Sequence, residues 1–568
     1  MKTRTFICAL IAVAPFVVIP IIYSGSVVPK IFISGTIMVA AAALLSGNII
    51  FEGCIFTSPL NLPAGIMLCW WVLSAMAADS IAPGLRVTVW IALHAAFFQA
   101  LPFLASVRPT LYRLLVWQNS VLLILMIVQI IFGIRPVAGF GNINWAASFL
   151  LILLPLNTHL IKMRGWNFLC IFNVALTPAV ILASGSRGVM SALLLMTAIF
   201  LIRHSAKFFD RRFLTLLIIA VMLPCAFLLN QAVRSRMLHL LELNPSSSSI
   251  SYRLMLWETA FQHWREHPIL GTGPGSFSRL AAITQLETGR DNPDFLTLRT
   301  GISHAHNEYL ETLSECGLPG LVLLLFIVWR LGRALFHTPE FYSLLGTIVF
   351  AFGEFPLRLP LHSLYLALIT GLALTGAGLF RPVTIIKPKH GILLFSMAFL
   401  IFGLIWIKDV LNPFAAEFLL TRAERCKYAG DLPKAERLFH MASRFSPLNE
   451  RAYLGTAFCL HHKGSYTASN DFLRKALKIG SSRDAFYMMG LNHYLNGNVS
   501  LALETLKVAA SIENKRDKAA RLAFIELALQ ENRVDDARMF LNELTILFPE
   551  NPGVLGLWKK YKEKDGNR

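Results

Sequence analysis

The chain has 568 residues, of which 55% are hydrophobic and only 15% charged, and it carries a net charge of +19 with a mean hydropathy of +0.57. Soluble domains carry roughly 25% charged residues, so this composition excludes a fully soluble protein and predicts several membrane spans. The positive charge lies mostly in short loops between apolar runs, where it fixes membrane topology. We therefore expect no nucleic-acid partner.

Charged residues are distributed unevenly along the chain. Residues 1–412 contain 43 of them, about 10%, whereas residues 413–568 contain 42, about 27%. The sequence therefore predicts two domains, a membrane domain over 1–412 and a water-soluble domain over 413–568.

Thirteen apolar runs in the first domain are predicted to be membrane spans, which need about 20 mostly apolar residues; the eighth, 188–202, is short, and the eleventh, 341–357, is bounded by proline. The first run follows Met1-Lys2-Thr3-Arg4, as in a signal peptide, but no small-x-small cleavage site comes after it, so we expect this span to be retained. The predicted spans are 6–23, 30–50, 61–78, 85–105, 113–133, 144–161, 167–184, 188–202, 212–229, 317–336, 341–357, 362–380 and 391–410.

Basic residues predict how these spans are oriented. With thirteen spans, one side of the membrane receives Lys2 and Arg4, Arg108 and Arg113, Lys162 and Arg164, Arg203 to Arg212, Arg330 and Arg333, and Arg381 to Lys389. The positive-inside rule makes that side cytoplasmic. The long loop 230–316, the turns 184–187 and 354–362 and the whole tail then face outward.

The long outward loop begins with an amphipathic segment and a glycine-rich stretch. Apolar side chains recur at helical spacing along 251–264, at Leu254, Trp257, Phe261 and Trp264. This pattern predicts a helix at the membrane surface that His267-Pro268 ends. Glycines at every second position of 271–275 follow. Because no strand precedes them, a tight bend is a better interpretation than a phosphate-binding loop.

A histidine pair, His304 and His306, closes the loop just before the span 317–336. An imidazole beside a bilayer is poorly suited to packing and well suited to proton transfer, because it titrates near neutral pH. The eight cysteines show no CxxC or zinc spacing, and the chain has no DxD pair to hold a metal ion. We expect neither a metal nor another cofactor.

The tail contains an internal repeat of about 34 residues, the period of tetratricopeptide repeats. Turn residues recur at Gly430, Gly464, Gly497 and Asn532. Small residues follow five positions later, at Ala435, Ser469, Ala502 and Ala537, and apolar ones nine positions later, at Phe439, Leu473, Leu506 and Leu541. Each unit is predicted to be a helix pair that buries its apolar face against its neighbours, which makes an α-solenoid. The array either recruits a protein or peptide partner or has no partner.

These elements occur in an order that resembles the O-antigen ligase and polymerase family. The most specific element is His306-Asn307, nine residues, then Gly317-x-x-Gly320, which is similar to the motif around that family's essential histidine. The other matching elements are Ser184-Gly185-Ser186-Arg187-Gly188, Tyr252-Arg253, Trp257, His267-Pro268, Gly271-x-Gly273-x-Gly275-x-Phe277 and Glu354-Phe355-Pro356-Leu357-Arg358-Leu359-Pro360. The resemblance covers roughly residues 140–380, and the repeat tail departs from the family's simplest pattern.

The resemblance implies an all-α fold, a polytopic membrane helical bundle of about 12–13 spans that is GT-C-like. It implies a bacterial inner-membrane enzyme whose catalytic loop, and here the repeats as well, face the periplasm. Such enzymes pass a glycan from undecaprenyl diphosphate to an acceptor hydroxyl. The acceptor is lipid A core in a ligase, a growing polysaccharide in a polymerase, or a protein side chain in an O-oligosaccharyltransferase.

The residues taken on their own fit that chemistry. The diphosphate leaves as a stable anion and needs no general acid, but cations must hold it and a base must take the hydroxyl proton. Arg187 and Arg253 suit the first task because a guanidinium binds phosphate oxygens bidentately and stays charged. His306 suits the second because a neutral imidazole is basic at working pH.

Supporting roles are predicted for His304, Asn307, Glu308, Glu315, Glu354 and Arg358. The carboxylates would orient a histidine or the acceptor, and Glu354 with Arg358 would line the same outward vestibule. Several alternatives stay open.

His304 is a second candidate for the base, or a metal ligand together with His306. His306 itself is an alternative cap for the following helix. Arg253 has Glu258 as an alternative partner, and Arg187 fits a snorkelling span-end residue. The charged group Arg290, Asp291, Asp294 and Arg299 is predicted to form a solvated rim.

Two other classes of function compete with a transferase. A transporter or flippase would show inverted repeats and ionisable residues in mid-span, whereas here the polar groups gather in the outward loop. A membrane-anchored scaffold would act through its repeats alone.

Overall fold

The structure is a computed structural model that describes residues 2–19, 27–164, 167–204, 249–288, 303–385, 390–480, 482–512 and 518–565. The predicted span 212–229 and the predicted rim at 290–299 lie outside the described residues.

The described part of the membrane domain is helical, as predicted. Before residue 205 its helices are α1 (Lys2–Val13), α2 (Val28–Gly47), α3 (Asn61–Ala77), α4 (Ile81–Ala100), α5 (Arg108–Ile131), α6 (Ile143–Arg164), α7 (Phe168–Ser184) and α8 (Arg187–His204). After residue 248 they are α9 (Ser249–Glu266), α10 (Phe277–Thr288), α11 (Glu308–Leu335), α12 (Glu340–Phe350), α13 (Pro360–Gly376) and α14 (Gly391–Ile405).

Each predicted span within the described residues falls on one of these helices. Four helical stretches are long and apolar enough to cross a membrane by themselves: Val28–Glu52, Ile81–Ile131, Glu308–Leu335 and Gly391–Tyr428. The other predicted spans within the described residues fall on shorter helices. The all-α membrane bundle is therefore confirmed.

One short strand pair was not predicted. Strand β1 (Cys54–Thr57) pairs antiparallel with strand β2 (Arg381–Thr384), so that Cys54 faces Thr384. The loop around β1 has no strong pattern, and four residues are too few for alternation to show which side of a strand is buried.

Contacts between distant segments sort the loops into two ends of the bundle. The end that the basic residues predict as cytoplasmic joins β1 with β2, Arg4 with Ser106, Arg203 with Phe336 and Arg330 with Pro59. The opposite end joins Lys30 with Gly139, Ser74 with Leu270 and Asn144 with Glu354. This sorting agrees with the order of spans that the sequence predicts.

The apolar core of the bundle is formed by α1, α2, α4, α5, α6, α7 and α13. Helix α14 packs against the edge of this core through the half-buried Phe402 and Ile405, and none of its apolar window is fully buried. A helix with exposed apolar side chains is stable where lipid tails replace water. The exposed side chains of α14 are therefore those expected of a lipid-facing span.

The tail forms helix pairs with the predicted repeat. Its helices are α15 (Asn412–Tyr428), α16 (Leu432–Phe445), α17 (Glu450–His462), α18 (Tyr466–Leu477), α19 (Arg483–Leu495), α20 (Val499–Ile512), α21 (Ala519–Gln530), α22 (Val534–Leu547) and α23 (Pro552–Asp565). The four predicted turn residues have positive φ, from +58° at Asn532 to +80° at Gly430. The eight small and apolar repeat positions are at most 1% exposed.

The tail is joined to the membrane domain in two ways. Helix α14 continues through a π-helical turn, Trp406–Leu411, directly into α15. Helix α10, in the loop that carries the histidines, packs against α20 of the repeats. The repeats therefore lie at the same end of the bundle as the histidine loop.

Candidate active site

A single carboxylate, Glu354, joins the predicted base to one of the predicted cations. Its Oε2 lies 3.2 Å from Nδ1 of His306, and its Oε1 accepts from Nη2 of Arg253 at 3.1 Å. Asn144 donates to the same Oε1 at 2.8 Å. The side chain of Glu354 is only 4% exposed, whereas those of His306 and Arg253 are 28% and 22% exposed. The base and the cation therefore reach the surface above a buried anion.

These contacts keep Glu354 ionised. Burial alone raises the pKa of the carboxyl, but the hydrogen bond and charge of His306, with the charge of Arg253, outweigh it and lower the pKa below its usual value. An ionised carboxylate accepts a hydrogen bond from Nδ1–H of the histidine, which leaves Nε2 as the acceptor nitrogen of the ring. That tautomer is the one in which His306 can take a proton from a hydroxyl.

The backbone around His306 is held in an uncommon conformation. His306 has φ +50°, in the left-handed region that few residues other than glycine adopt. Its neighbours fix it there, because the Ala305 amide donates to Glu311 at 2.8 Å and Asn307 caps α11 by accepting from the amides of Tyr309 and Leu310. The cap is thus Asn307 and not His306. Strain of this kind is concentrated at functional sites.

The second histidine faces a different carboxylate. Nδ1 of His304 lies 2.8 Å from Oε1 of Glu311. Its ring stacks on Phe355 at 3.9 Å between centroids, and the same phenyl ring meets His306 edge-on at 5.2 Å. Phe355 therefore packs against both imidazoles, and each histidine has its own acidic partner.

A buried ion cluster lies beneath the two histidines. Arg358 binds Glu308 at 3.2 Å, Glu311 at 3.2 Å and Glu315 at 2.9 Å, and all four side chains are at least four-fifths buried. Burial raises the pKa of Glu308 to about 7 and also raises that of Glu315. Burial acts on Glu311 as well, but Arg358 and His304 outweigh it and lower its pKa. Glu308 and Glu315 both bind Arg358, and no hydrogen bond joins either of them to a histidine among the described residues. That they orient the acceptor stays a prediction.

The glycine-rich stretch is a tight bend that packs on the end of this cluster. Gly271, Gly273 and Gly275 all have positive φ. The amide of Gly273 donates to the Glu315 carbonyl at 2.9 Å, and that of Phe277 donates to the Glu315 carboxylate at 3.2 Å. These two amides serve the protein itself, which agrees with the bend interpretation.

The glycine at position 317 has a steric basis in this chain. Helix α11 breaks there, at φ +68° and ψ −177°, so the glutamate-bearing part before Gly317 precedes the predicted span 317–336. The amide of Leu318 donates to the Pro268 carbonyl at 3.0 Å, which brings the bend against the break. A β-carbon at Gly317 would lie 1.9 Å from the carbonyl oxygen of Ile269.

Gly317→Ala is therefore expected to destabilise the protein by about 3 kcal/mol or more, because it adds both backbone strain and a clash with main chain. Gly332→Ala is the matched control, since a β-carbon there meets nothing within 4 Å on the same helix. The temperature at which half of the detergent-solubilised protein is lost from its monodisperse peak measures both. Equal values for the two variants would contradict the steric explanation.

The other predicted cation, Arg187, is the first residue of α8 and is half-buried. Gly185 has φ +69° and turns the chain between α7 and α8. A β-carbon on Gly188 would be in van der Waals contact with Phe350, four residues before Glu354. Arg187 thus begins a helix that packs beside the segment carrying Glu354.

Helix α9 has the two-sided character that its sequence predicts. Leu254 and Phe261 are 55% and 40% exposed, whereas Leu256 and Ala260 on the other side are buried. Of the predicted stripe, Leu254 and Phe261 point outward, where a membrane surface can cover them, whereas Trp257 and Trp264 are half-buried.

Sequence reasoning missed two residues of the site. Glu311 binds His304, Arg358 and the Ala305 amide, and its signal is the spacing 308, 311 and 315, which places three acids on one helix face. Asn144, the third partner of Glu354, has no such signal. It lies 210 residues away in sequence.

The fold and this cluster define an all-α membrane protein with a helical-repeat tail and a strained cluster of His306, Glu354 and Arg253 at one end of its bundle. Residues 172–325 match the family model described as O-Antigen ligase (Wzy_C), which is 154 of the 568 residues. The matched segment contains Arg187, Arg253 and His306. It confirms the resemblance and supports a membrane enzyme with glycosyltransferase-like chemistry.

No curated protein matches the chain. Among solved structures, the crystal structure of YrrB, described as a TPR protein with an unusual peptide-binding site, is 22% identical, with a TM-score of 0.22. The alignment covers 27% of this chain and 88% of that one.

Proposed function

We propose that the protein transfers a glycan from an undecaprenyl-diphosphate carrier to an acceptor hydroxyl at the periplasmic face of the inner membrane. The observation that carries the proposal is the shared carboxylate Glu354, which pairs with His306 on one oxygen and Arg253 on the other. A base and a phosphate-binding cation are then separated by a single buried side chain. No metal takes part in the proposed reaction.

In the proposed mechanism His306 accepts the hydroxyl proton at Nε2 as the acceptor oxygen attacks the anomeric carbon. The bond between that carbon and the diphosphate oxygen breaks, and the diphosphate leaves as an anion. Glu354 stabilises the imidazolium that forms, through Nδ1. Arg253 and Arg187 bind the charge that develops on the departing phosphate oxygens.

Arg253→Gln tests whether the cation binds the carrier. We expect the KM for the lipid diphosphate to rise about tenfold or more, because a charge-assisted hydrogen bond to phosphate is lost. Arg187→Gln should act in the same direction. The assay is transfer from a radiolabelled carrier-linked glycan by purified protein in liposomes.

Arg265→Gln is the matched control, because Arg265 is exposed on the same helix, α9, twelve residues away. An unchanged KM in both Arg253→Gln and Arg187→Gln would remove the diphosphate-binding role.

Glu354→Gln tests the positioning of His306. The amide keeps the shape of the side chain but cannot balance an imidazolium, so kcat should fall about tenfold to a hundredfold while KM for the carrier changes less. The same kinetic assay separates the two constants. A rise in KM with normal kcat would show that Glu354 serves substrate binding and not the base.

The repeats support the recruitment of a protein or of a further assembly component at 413–568. The contact between α10 and α20 supports this proposal, because it brings one helix of the repeats beside the histidine loop. The three acceptor classes, lipid, polysaccharide and protein, remain alternatives within the same reaction.

A further inference from the structure

A cavity of about 650 Å³ lies at the junction of the membrane domain and the repeats. We call it the junction cavity. We call the apolar part of its lining the apolar wall, which includes Ile31, Phe32, Val410 and Phe414. We call the polar part the polar wall, which includes Arg86, Ser278, Glu417, Glu450, Arg451 and Arg483. A volume of this size is typical of a site for a small-molecule ligand and is far larger than one phosphate requires.

The apolar wall lies where two predicted spans reach the water. The span 30–50 begins beside Ile31 and Phe32, and the span 391–410 ends at Val410. Phe32 and Phe414 stack at 4.5 Å between centroids across this boundary. The lining of the cavity therefore joins the ends of two predicted spans to charged residues of the repeats, which suits an amphiphilic ligand.

The polar wall has an excess of cations. Arg451 pairs with Glu417 at 3.4 Å, and Arg483 pairs with Asp484 at 2.9 Å. Arg86 has no hydrogen-bonded acceptor among the described residues, and Asp409 is the charge that acts on it. A guanidinium without an acceptor inside a cavity is suited to bind an anionic oxygen.

The polar wall also includes a carboxyl group, that of Glu450, whose pKa is raised. Burial and the nearby Asp484 raise the pKa of Glu450 to about 7, and its Oε1 is buried without a partner among the described residues. Near neutral pH this carboxyl is partly protonated, so it opposes an anion less than an ordinary glutamate does.

The cavity is separate from the site around Glu354 but close to the same loop. Ser278 lines it, and the preceding residue, Phe277, donates its amide to Glu315 at 3.2 Å. The cavity shares no residue with the His306, Arg253 and Glu354 cluster.

We propose that the junction cavity binds the phosphate-bearing headgroup of a membrane amphiphile, with the phosphate at Arg86 and the chain along Phe32 and Phe414. Under the proposed function, on which this step rests, a lipid acceptor is an amphiphile of this chemistry. The binding itself does not depend on that reaction.

The test is native mass spectrometry of the full chain in detergent, titrated with dioctanoyl phosphatidic acid. The binding step that depends on Arg86 should have the same affinity in the parent and in His306→Ala. Arg86→Gln should bind about tenfold more weakly, because one charge-assisted hydrogen bond is lost. Arg437→Gln, on an exposed face of α16, is the matched control and should bind as the parent does.

Dioctanoylglycerol and inorganic phosphate distinguish the sources of affinity. Each should bind at least about tenfold more weakly than phosphatidic acid, because each lacks one half of the ligand. Equal affinity for either would overturn the assignment of an anionic amphiphile, and so would an unchanged affinity in Arg86→Gln.

Ile479→Trp provides an independent variant that fills the cavity and leaves Arg86 in place. It should abolish binding by exclusion, and normal binding would overturn the proposal even if Arg86→Gln did not fold. Because His306→Ala is expected to bind lipid normally, failure of the proposed transfer reaction is seen separately from failure of this site.

Discussion

Replacing His306 with alanine is expected to reduce glycan transfer by about a hundredfold to ten-thousandfold, the usual contribution of a positioned general base. The variant removes Nε2 of His306, the atom proposed to accept the proton of the acceptor hydroxyl while Glu354 contacts the other ring nitrogen. Arg253 and Asn144 would still bind Glu354, so that carboxylate keeps two of its three partners. Transfer of a radiolabelled glycan by reconstituted protein is the measurement.

His337→Ala is the matched control for this loss. His337 is an exposed histidine at the opposite end of the bundle, next to the predicted cytoplasmic end of α11. It should be fully active. Full activity in His306→Ala, with insertion and stability unchanged, would end the proposal that this histidine is the base. Full activity in His306→Ala together with loss of activity in His304→Ala would identify His304 as the base instead.

Replacing Arg358 with methionine is expected to be the most destabilising single change in the described site. It would leave three carboxylates, Glu308, Glu311 and Glu315, buried together without their cation. Removing one partner of a buried ionic cluster costs about 3–5 kcal/mol. The measurement is the temperature at which half of the solubilised protein leaves its monodisperse peak, with Arg265→Met as the exposed control.

The carboxylates give this prediction a second readout. Glu308→Gln and Glu315→Gln mimic the protonated acid, so adding them to Arg358→Met should recover part of the lost stability, as a double-mutant cycle would show. If the double variants are no more stable than Arg358→Met alone, loss of packing and not buried charge is the cause.

The same cluster sets a pH dependence in the parent protein. Because burial raises the pKa of Glu308 to about 7 in the folded state, its contribution to stability is fully present below the ordinary pKa of 4.5 and is lost as pH rises towards 7. Glu308→Gln should flatten that part of the stability profile.

Local patterns were enough to predict most of the architecture. Apolar runs need only length and composition to indicate spans, and the 34-residue repeat shows itself through turn residues that must adopt positive φ. His306 was predicted as a functional residue because a histidine is unusual next to a membrane span. Gly317 was found through its spacing, although the sequence could not show that the Ile269 carbonyl excludes a side chain there.

The composition and periodicity of the chain determined that it is a helical membrane protein with a repeat tail, because burial of apolar surface depends on residue type and helical spacing alone. Which carboxylate serves which cation was decided only by tertiary structure. Glu354 lies 48 residues from His306, 101 from Arg253 and 210 from Asn144. Pairing over such separations depends on how whole helices pack, and the sequence around each residue does not indicate it.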